Sequence, residues 1–290
     1  RGQLSAVRKG GIPVADGYAT FMGSPHQTGG FPEDSPLQNN VDILWQNHFG
    51  GAGKNECYMT QQTSDGGYIL IGRSDIQGTG NYDAWLVKTD ANGQKVWDKT
   101  YGGSYIDEAY AVKELSGGGY IIAGMTTAYG NAGEGWLIRT DASGNEVWEH
   151  AYHPATGSAA SAWEYLYDVV EMADGSFITV GTTADDTYSI QAWILKVSSN
   201  GDVIWEHKYG DIYWERFFCM DKTSDGAVVA VGDRHVTFDS LTWKHDGWLV
   251  KFDVNGDTTW TRHFGGPDHD IFRSVKQTTD GGYIIAGERE

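Results

Sequence analysis

The chain has 290 residues, 21 Lys plus Arg against 39 Asp plus Glu, and a formal net charge of −18. That sign repels nucleic-acid phosphates and anionic lipid headgroups, so neither nucleic acid nor a membrane surface is expected as a partner. Gly 40, Trp 12, Tyr 16 and Phe 10 with only 6 Pro point to many short strands joined by tight turns, an all-β composition.

No apolar run approaches the ~18 residues of a membrane span, and the stretch from Arg1 lacks a signal-peptide pattern. The two cysteines, Cys57 and Cys219, fall at different places in the pattern described below, so neither a disulfide framework nor a metal knuckle is expected.

In chain order, residues 1–13 read as an N-terminal extension. Residues 14–23 and 41–50 read as strands, the second carrying Trp45. A repeat then takes over. Trp45, Trp97, Trp148, Trp205 and Trp260 recur at intervals of 51 to 57 residues, the spacing expected of propeller blades. Turns at Asp65, Gly117, Asp174, Asp225 and Asp280 are each followed by a short apolar run and then by Gly72, Gly124, Gly181, Gly232 or Gly287. A second tryptophan, at Trp85, Trp136, Trp193 and Trp248, opens runs such as Trp85-Leu-Val-Lys.

Turn chemistry sets the connections. Asp90-Ala-Asn-Gly93, Asp141-Ala-Ser-Gly144, Ser198-Ser-Asn-Gly201 and Asp253-Val-Asn-Gly256 place an Asx or Ser residue at the start and glycine where a left-handed backbone is needed. Each repeat is thus a four-stranded blade, with blades at about 56–101, 108–152, 165–209 and 216–264. A fifth, 271–290, is completed by strands from 14–50, so that 14–290 forms one β-propeller domain without an open sheet edge. The stretch Asp16-Gly-Tyr-Ala-Thr-Phe-Met-Gly23 also fits a second-strand mark, which leaves six or seven blades open for a longer parent chain.

Tyr101-Gly-Gly-Ser-Tyr-Ile-Asp-Glu-Ala-Tyr followed by Gly118-Gly-Tyr-Ile-Ile-Ala-Gly124 resembles the repeat of bacterial extracellular β-propellers. Thr89-Asp-Ala-Asn-Gly-Gln-Lys-Val-Trp97 is similar to the tryptophan-docking repeat of quinoprotein propellers, although the adjacent cysteine pair and eight-blade length of that family are missing. The resemblance implies a secreted, periplasmic or cell-surface location and a scaffold or adhesion role.

Asn55, Asp107, Glu164, Glu215 and Asp270 stand ten residues before each turn, at the mouth of every innermost strand. They form either a polar ring around the axis, with Asp107, Glu164, Glu215 and Asp270 able to take calcium, or caps for the backbone of their own crossing loops. Asp83, Glu134, Gln191 and Asp246 recur similarly and read as loop closers. Unrepeated residues on the same face, Trp163, Tyr213, Trp214, Asp268 and His269, and the insertions 153–163 and 235–245 are candidates for ligand contact.

No catalytic signature is present: there is no nucleophile elbow, zinc-protease motif or phosphate loop. The sequence therefore predicts a non-catalytic propeller without a cofactor, calcium apart, that presents its variable loops to a protein or glycan. The alternative is a glycoside hydrolase using two axis carboxylates, such as Glu164 with Glu215 or Asp270. A calcium-stabilised structural module is the third reading.

Overall fold

The computed structural model describes residues 2–9, 19–21, 41–50, 53–75, 81–128, 133–154, 163–184, 189–210, 214–236, 244–266 and 268–289, with side chains from residue 45 onward. Its strands, numbered in chain order, begin with β1 (Gly2–Lys9), β2 (Ala19–Phe21) and β3 (Val41–Phe49). Four sheets follow, each a four-stranded antiparallel meander. The first blade is β4 (Asn55–Gln62), β5 (Tyr68–Ser74), β6 (Asp83–Thr89) and β7 (Lys95–Tyr101). The second is β8 (Asp107–Glu114), β9 (Tyr120–Thr126), β10 (Glu134–Thr140) and β11 (Glu146–Tyr152). The third is β12 (Tyr165–Glu171), β13 (Phe177–Ala184), β14 (Ile190–Val197) and β15 (Val203–Tyr209). The fourth is β16 (Glu215–Lys222), β17 (Val228–His235), β18 (His245–Phe252) and β19 (Thr258–Phe264), and β20 (Asp270–Gln277) and β21 (Tyr283–Arg289) form a two-stranded sheet after it.

The sheets stack face to face, and the first strands of successive sheets lie against one another, as propeller blades do around an axis. Packing buries the second and third strands of the four blades almost completely. Ile69, Ile121, Ile178 and Val229 are fully buried at one repeat position, as are Leu86, Leu137, Ile194 and Leu249 or nearly so at another. At roughly 25 cal/mol for each Å² of apolar surface removed from water, these inter-sheet layers supply most of the stabilisation.

The repeat marks each have a physical cause. Trp45, Trp97 and Trp205 lie against Gly93, Gly144 and Gly256 of the following turn, where a methyl group would come within 2.4–2.8 Å of the indole. These glycines also hold positive φ, between 72° and 83°. Tyr101 Oη donates to Gly144 O at 2.7 Å and Tyr152 Oη to Gly201 O at 2.8 Å, bolting each outer strand to the next sheet. Tyr209 makes the same bond to Gly256. On the turn face, Glu114 accepts from Ser64 N–H and Oγ (2.7 and 2.8 Å), and Glu171 from Ser116 N–H and Oγ (2.8 and 3.0 Å).

The lysine of the Trp-Leu-Val-Lys run is equally specific. Lys88, Lys196 and Lys251 pair with Asp65, Asp174 and Asp225 of the turn in their own blade. Each of the three carboxyls is held down at about 2, Asp65 by Thr63 and Lys88, Asp174 by Ser176 and Lys196, and Asp225 by Lys251 and Thr223. In the second blade Gly117 replaces the aspartate, and there Arg139 replaces the lysine and donates to Ser199 O instead.

The N-terminal strands depart from expectation. Residues 2–9, read as part of an extension, are strand β1, which pairs with both β2 and β3. Among the described residues β3 pairs with β1 rather than with β21, and residues 22–40 of the stretch expected to complete the closing blade lie outside the described residues. β1 pairs along one edge of β3, and Trp45 meets Tyr68 edge-on at 5.4 Å, which stacks this sheet on the first blade. Most of the predicted strand 14–23 lies outside the described residues.

Candidate ligand site at the axis

The five residues predicted to ring the axis are placed alike but turned to local work. Asp107 is fully buried and accepts from Gly103 N–H at 2.8 Å and from Thr126 Oγ1 at 2.5 Å. Asp270 accepts from Gly266 N–H at 2.9 Å. Asn55 donates to Gly53 O at 2.8 Å and accepts from Ser74 Oγ. Glu164, fully buried, lies 3.3 Å from His153 Nδ1 and 3.4 Å from Thr183 Oγ1. Burial pushes Glu164 up to about 7; His153 and Thr183 pull it down and Glu134 adds to the rise. Glu215 is fully buried beneath Gly210, where a methyl group would lie 2.5 Å from its Oε2.

Asn55, Asp107 and Asp270 thus serve the loops beside them. Among the described residues no three His, Cys, Asp or Glu side chains are grouped to hold a metal ion, so the calcium reading of Asp107, Glu164, Glu215 and Asp270 has no cluster to rest on. The loop closers sit close by: burial raises Asp83, with Asp107 and Asp75 adding to the rise, and Asp246 accepts from Lys244 at 2.6 Å.

A different ring of residues, not anticipated from the sequence, meets at the axis. Each first strand carries a register shift opposite the repeat glycine of the second strand, spanning Tyr58, Tyr110, Tyr167, Phe218 and Arg273. The glycine permits it. A methyl group on Gly72, Gly124, Gly181, Gly232 or Gly287 would lie 1.7–2.1 Å from the carbonyl oxygen of Glu56, Glu108, Tyr165, Arg216 or Ile271. With the backbones that close, the extra residue bulges out of the ladder.

The bulged side chains touch in succession: Tyr58–Tyr110 at 5.5 Å, Tyr110–Tyr167 at 5.2 Å and Tyr167–Phe218 at 5.4 Å between centroids, with the Arg273 guanidinium 4.3 Å from Phe218. The signal was present as four aromatics and one arginine, each three residues after the carboxylate or amide position.

Around this belt stands a rim of paired charges. Arg73 bonds both Glu56 and Glu108, and those carboxylates accept from Tyr58 Oη (3.0 Å) and Tyr110 Oη (2.7 Å). Burial opposes ionisation of Glu56, but hydrogen bonds from Lys54, Arg73 and Tyr58 outweigh it and hold the carboxyl low. Opposite, Arg216 forks onto buried Asp233 at 2.9 and 2.7 Å, and His245 Nδ1 lies 2.7 Å from the same carboxylate.

Of the unrepeated candidates, Trp163 joins this site. It is 41% exposed and stacks on Tyr165 at 6.3 Å and 19°, and Tyr165 stacks on Tyr167 at 5.6 Å and 2°. The three rings form a ladder from the loop surface to the belt. His269 accepts from the His245 N–H at 3.3 Å, Asp268 pairs with Arg289 at 2.9 Å, and Trp214, 43% exposed, shares no ring contact with the ladder. Tyr213 and most of both insertions, residues 155–162 and 237–243, lie outside the described residues.

Stacked four-stranded antiparallel sheets with an axis end of this kind define an all-β repeat protein of the β-propeller type. No family model matches the chain, and no curated protein matches it. Among solved structures, the chain is similar to a crystal structure of a mutant puromycin hydrolase complexed with PGG, with a TM-score of 0.50 and 14% identity over 81% of this chain and 36% of that one. The chain thus spans little more than a third of the hydrolase. At that identity the likeness shows the fold alone, and it corrects one expectation: an enzyme's chain contains this architecture, so the propeller reading gives no ground for setting catalysis aside.

Proposed function

We propose that this chain is an extracytoplasmic β-propeller that binds a saccharide at the axis end of its loop face. The observation that carries the reading is the Trp163–Tyr165–Tyr167 ladder, which ends in an exposed indole and is flanked by the planar, paired groups of Arg73, Glu108, Arg216 and Asp233. Aromatic rings offer apolar contact to the C–H faces of a sugar, and guanidinium groups fixed by buried carboxylates hydrogen-bond its hydroxyls. Loops on a rigid scaffold are where such contacts gather.

In this reading β20 and β21 are the inner half of a fifth blade. The location follows from the resemblance of the repeat to those of bacterial extracellular propellers. A glycan array probed with the native chain and with Trp163→Ala tests the binding. Native signal that the variant loses, at an unchanged melting temperature, supports the reading. No glycan above background, or equal binding by the variant, refutes it.

A further inference from the structure

Among the described residues Trp163 and Trp214 are the exposed tryptophans, at 41% and 43%. They hold one repeat position, immediately before Glu164 and Glu215, in two adjacent blades; the first two blades have Lys54 and Ile106 there, so the repeat itself does not require an indole. The third and fourth blades each have all four strands, and neither indole is bare for want of a strand in its own sheet.

Below the two indoles the chain follows one course. Two residues on stand Tyr165 and Arg216, and four residues on stand Tyr167 and Phe218. Tyr165 stacks on Tyr167 at 5.6 Å, the Arg216 guanidinium lies 5.0 Å from the Phe218 centroid, and Tyr167 meets Phe218 at 5.4 Å. Two columns joined at the foot thus stand side by side on first strands that pack against each other, and the residue above each is an exposed indole. Both tops are anchored: a methyl group on Gly133 of the β9–β10 loop would lie 2.6 Å from the Trp163 indole, and the Trp214 carbonyl accepts from the His235 N–H at 3.0 Å. Platforms fixed in this way give up little freedom when a ligand covers them. A pair of them on neighbouring blades suits a ligand that repeats an apolar face along its length, as a sugar chain does.

We propose that the ligand is a saccharide chain rather than a single sugar, and that it crosses from the third blade to the fourth with one sugar on Trp163 and another on Trp214. This rests on the saccharide reading of the site and gives a role to Trp214, which that reading leaves unused. Arg216, held by buried Asp233, lies below the crossing and can donate to hydroxyls of the chain. A net charge of −18 favours a neutral glycan over a polyanionic one.

The test is calorimetric titration of the native chain, Trp163→Ala and Trp214→Ala with cello-, xylo-, manno- and chito-oligosaccharides, and with the size series of any further glycan bound on the array, each from monosaccharide to hexasaccharide. In a series that binds, the hexasaccharide is expected to bind at least about tenfold more tightly than the disaccharide. Trp214→Ala brings the hexasaccharide down to the affinity of the disaccharide, whose persisting binding reports an intact fold and ladder, and Trp163→Ala removes both. Affinity that does not grow with chain length, a hexasaccharide indifferent to Trp214→Ala, or an equal loss of both ligands in that variant overturns this inference and leaves the saccharide reading standing. No binding in any series, together with a blank glycan array, overturns both.

Discussion

Removing the hydroxyl of Tyr101 or Tyr152 isolates the bolt between neighbouring sheets. Each phenol is buried, at 8% and 6% exposure, and each donates to a turn carbonyl of the next blade at 2.7 and 2.8 Å. Phenylalanine keeps the ring and its packing. The loss is therefore the net value of one hydrogen bond, about 1 kcal/mol, plus part of the cost of leaving Gly144 O or Gly201 O without its donor, which brings each variant to about 1–2 kcal/mol. The two bonds share no partner, so Tyr101→Phe and Tyr152→Phe together should cost the sum, about 2–4 kcal/mol. Urea unfolding followed by tryptophan fluorescence reads this as a lower midpoint at unchanged slope. Phe264, which holds the equivalent place in β19, is 51% exposed, and its removal to Ala should cost much less than loss of either tyrosine ring. If both single variants unfold with the native midpoint, the phenols merely fill space and the bolt does not exist.

Other expectations test other parts of the fold. Glu164 holds its proton up to about 7 when folded against an ordinary 4.5, so its contribution is fully present below pH 4.5 and is lost as pH rises through 7. Glu164→Gln should accordingly flatten the fall in stability across that window, by at most about 3 kcal/mol, in melts recorded from pH 4 to 8. Gly124→Ala forces a methyl against Glu108 O and should cost roughly 3 kcal/mol or more and shift the near-UV circular dichroism of the Tyr110 cluster; a silent variant would deny that the glycine sets the bulge. Lys88→Met should let the Asp65 carboxyl, now about 2, rise only part of the way, because Thr63 and the Gly67 N–H remain, as carboxyl NMR would record. Burial pushes the thiols of Cys57 and Cys219 up to about 12, so both should react with a thiol reagent only on unfolding.

The blades were readable because each mark answers a local need. Turn aspartates, the glycine beside Trp97 and the lysine of Lys88 act within one repeat or at one interface, so spacing alone exposes them. The axis was less readable, since being near it is a property of five strands together. Asp107 and Asp270 stood out by charge, yet each accepts a hydrogen bond from the crossing loop beside it. Tyr58, Tyr110, Tyr167 and Phe218 bear no mark that spacing alone picks out; the register shifts are what set them outside the ladder. Residues 2–9 carry none of the repeat marks, and their pairing with β3 depends on contacts between distant segments.

The bulge has a consequence for variation. Because the extra residue stands apart from the strand pairing, exchanging it leaves the register of the ladder in place. The present occupants, three tyrosines, a phenylalanine and an arginine, already span neutral, apolar and cationic character on one unaltered framework. Variation at the axis is therefore constrained by the contacts these five side chains make with one another rather than by the strands that carry them.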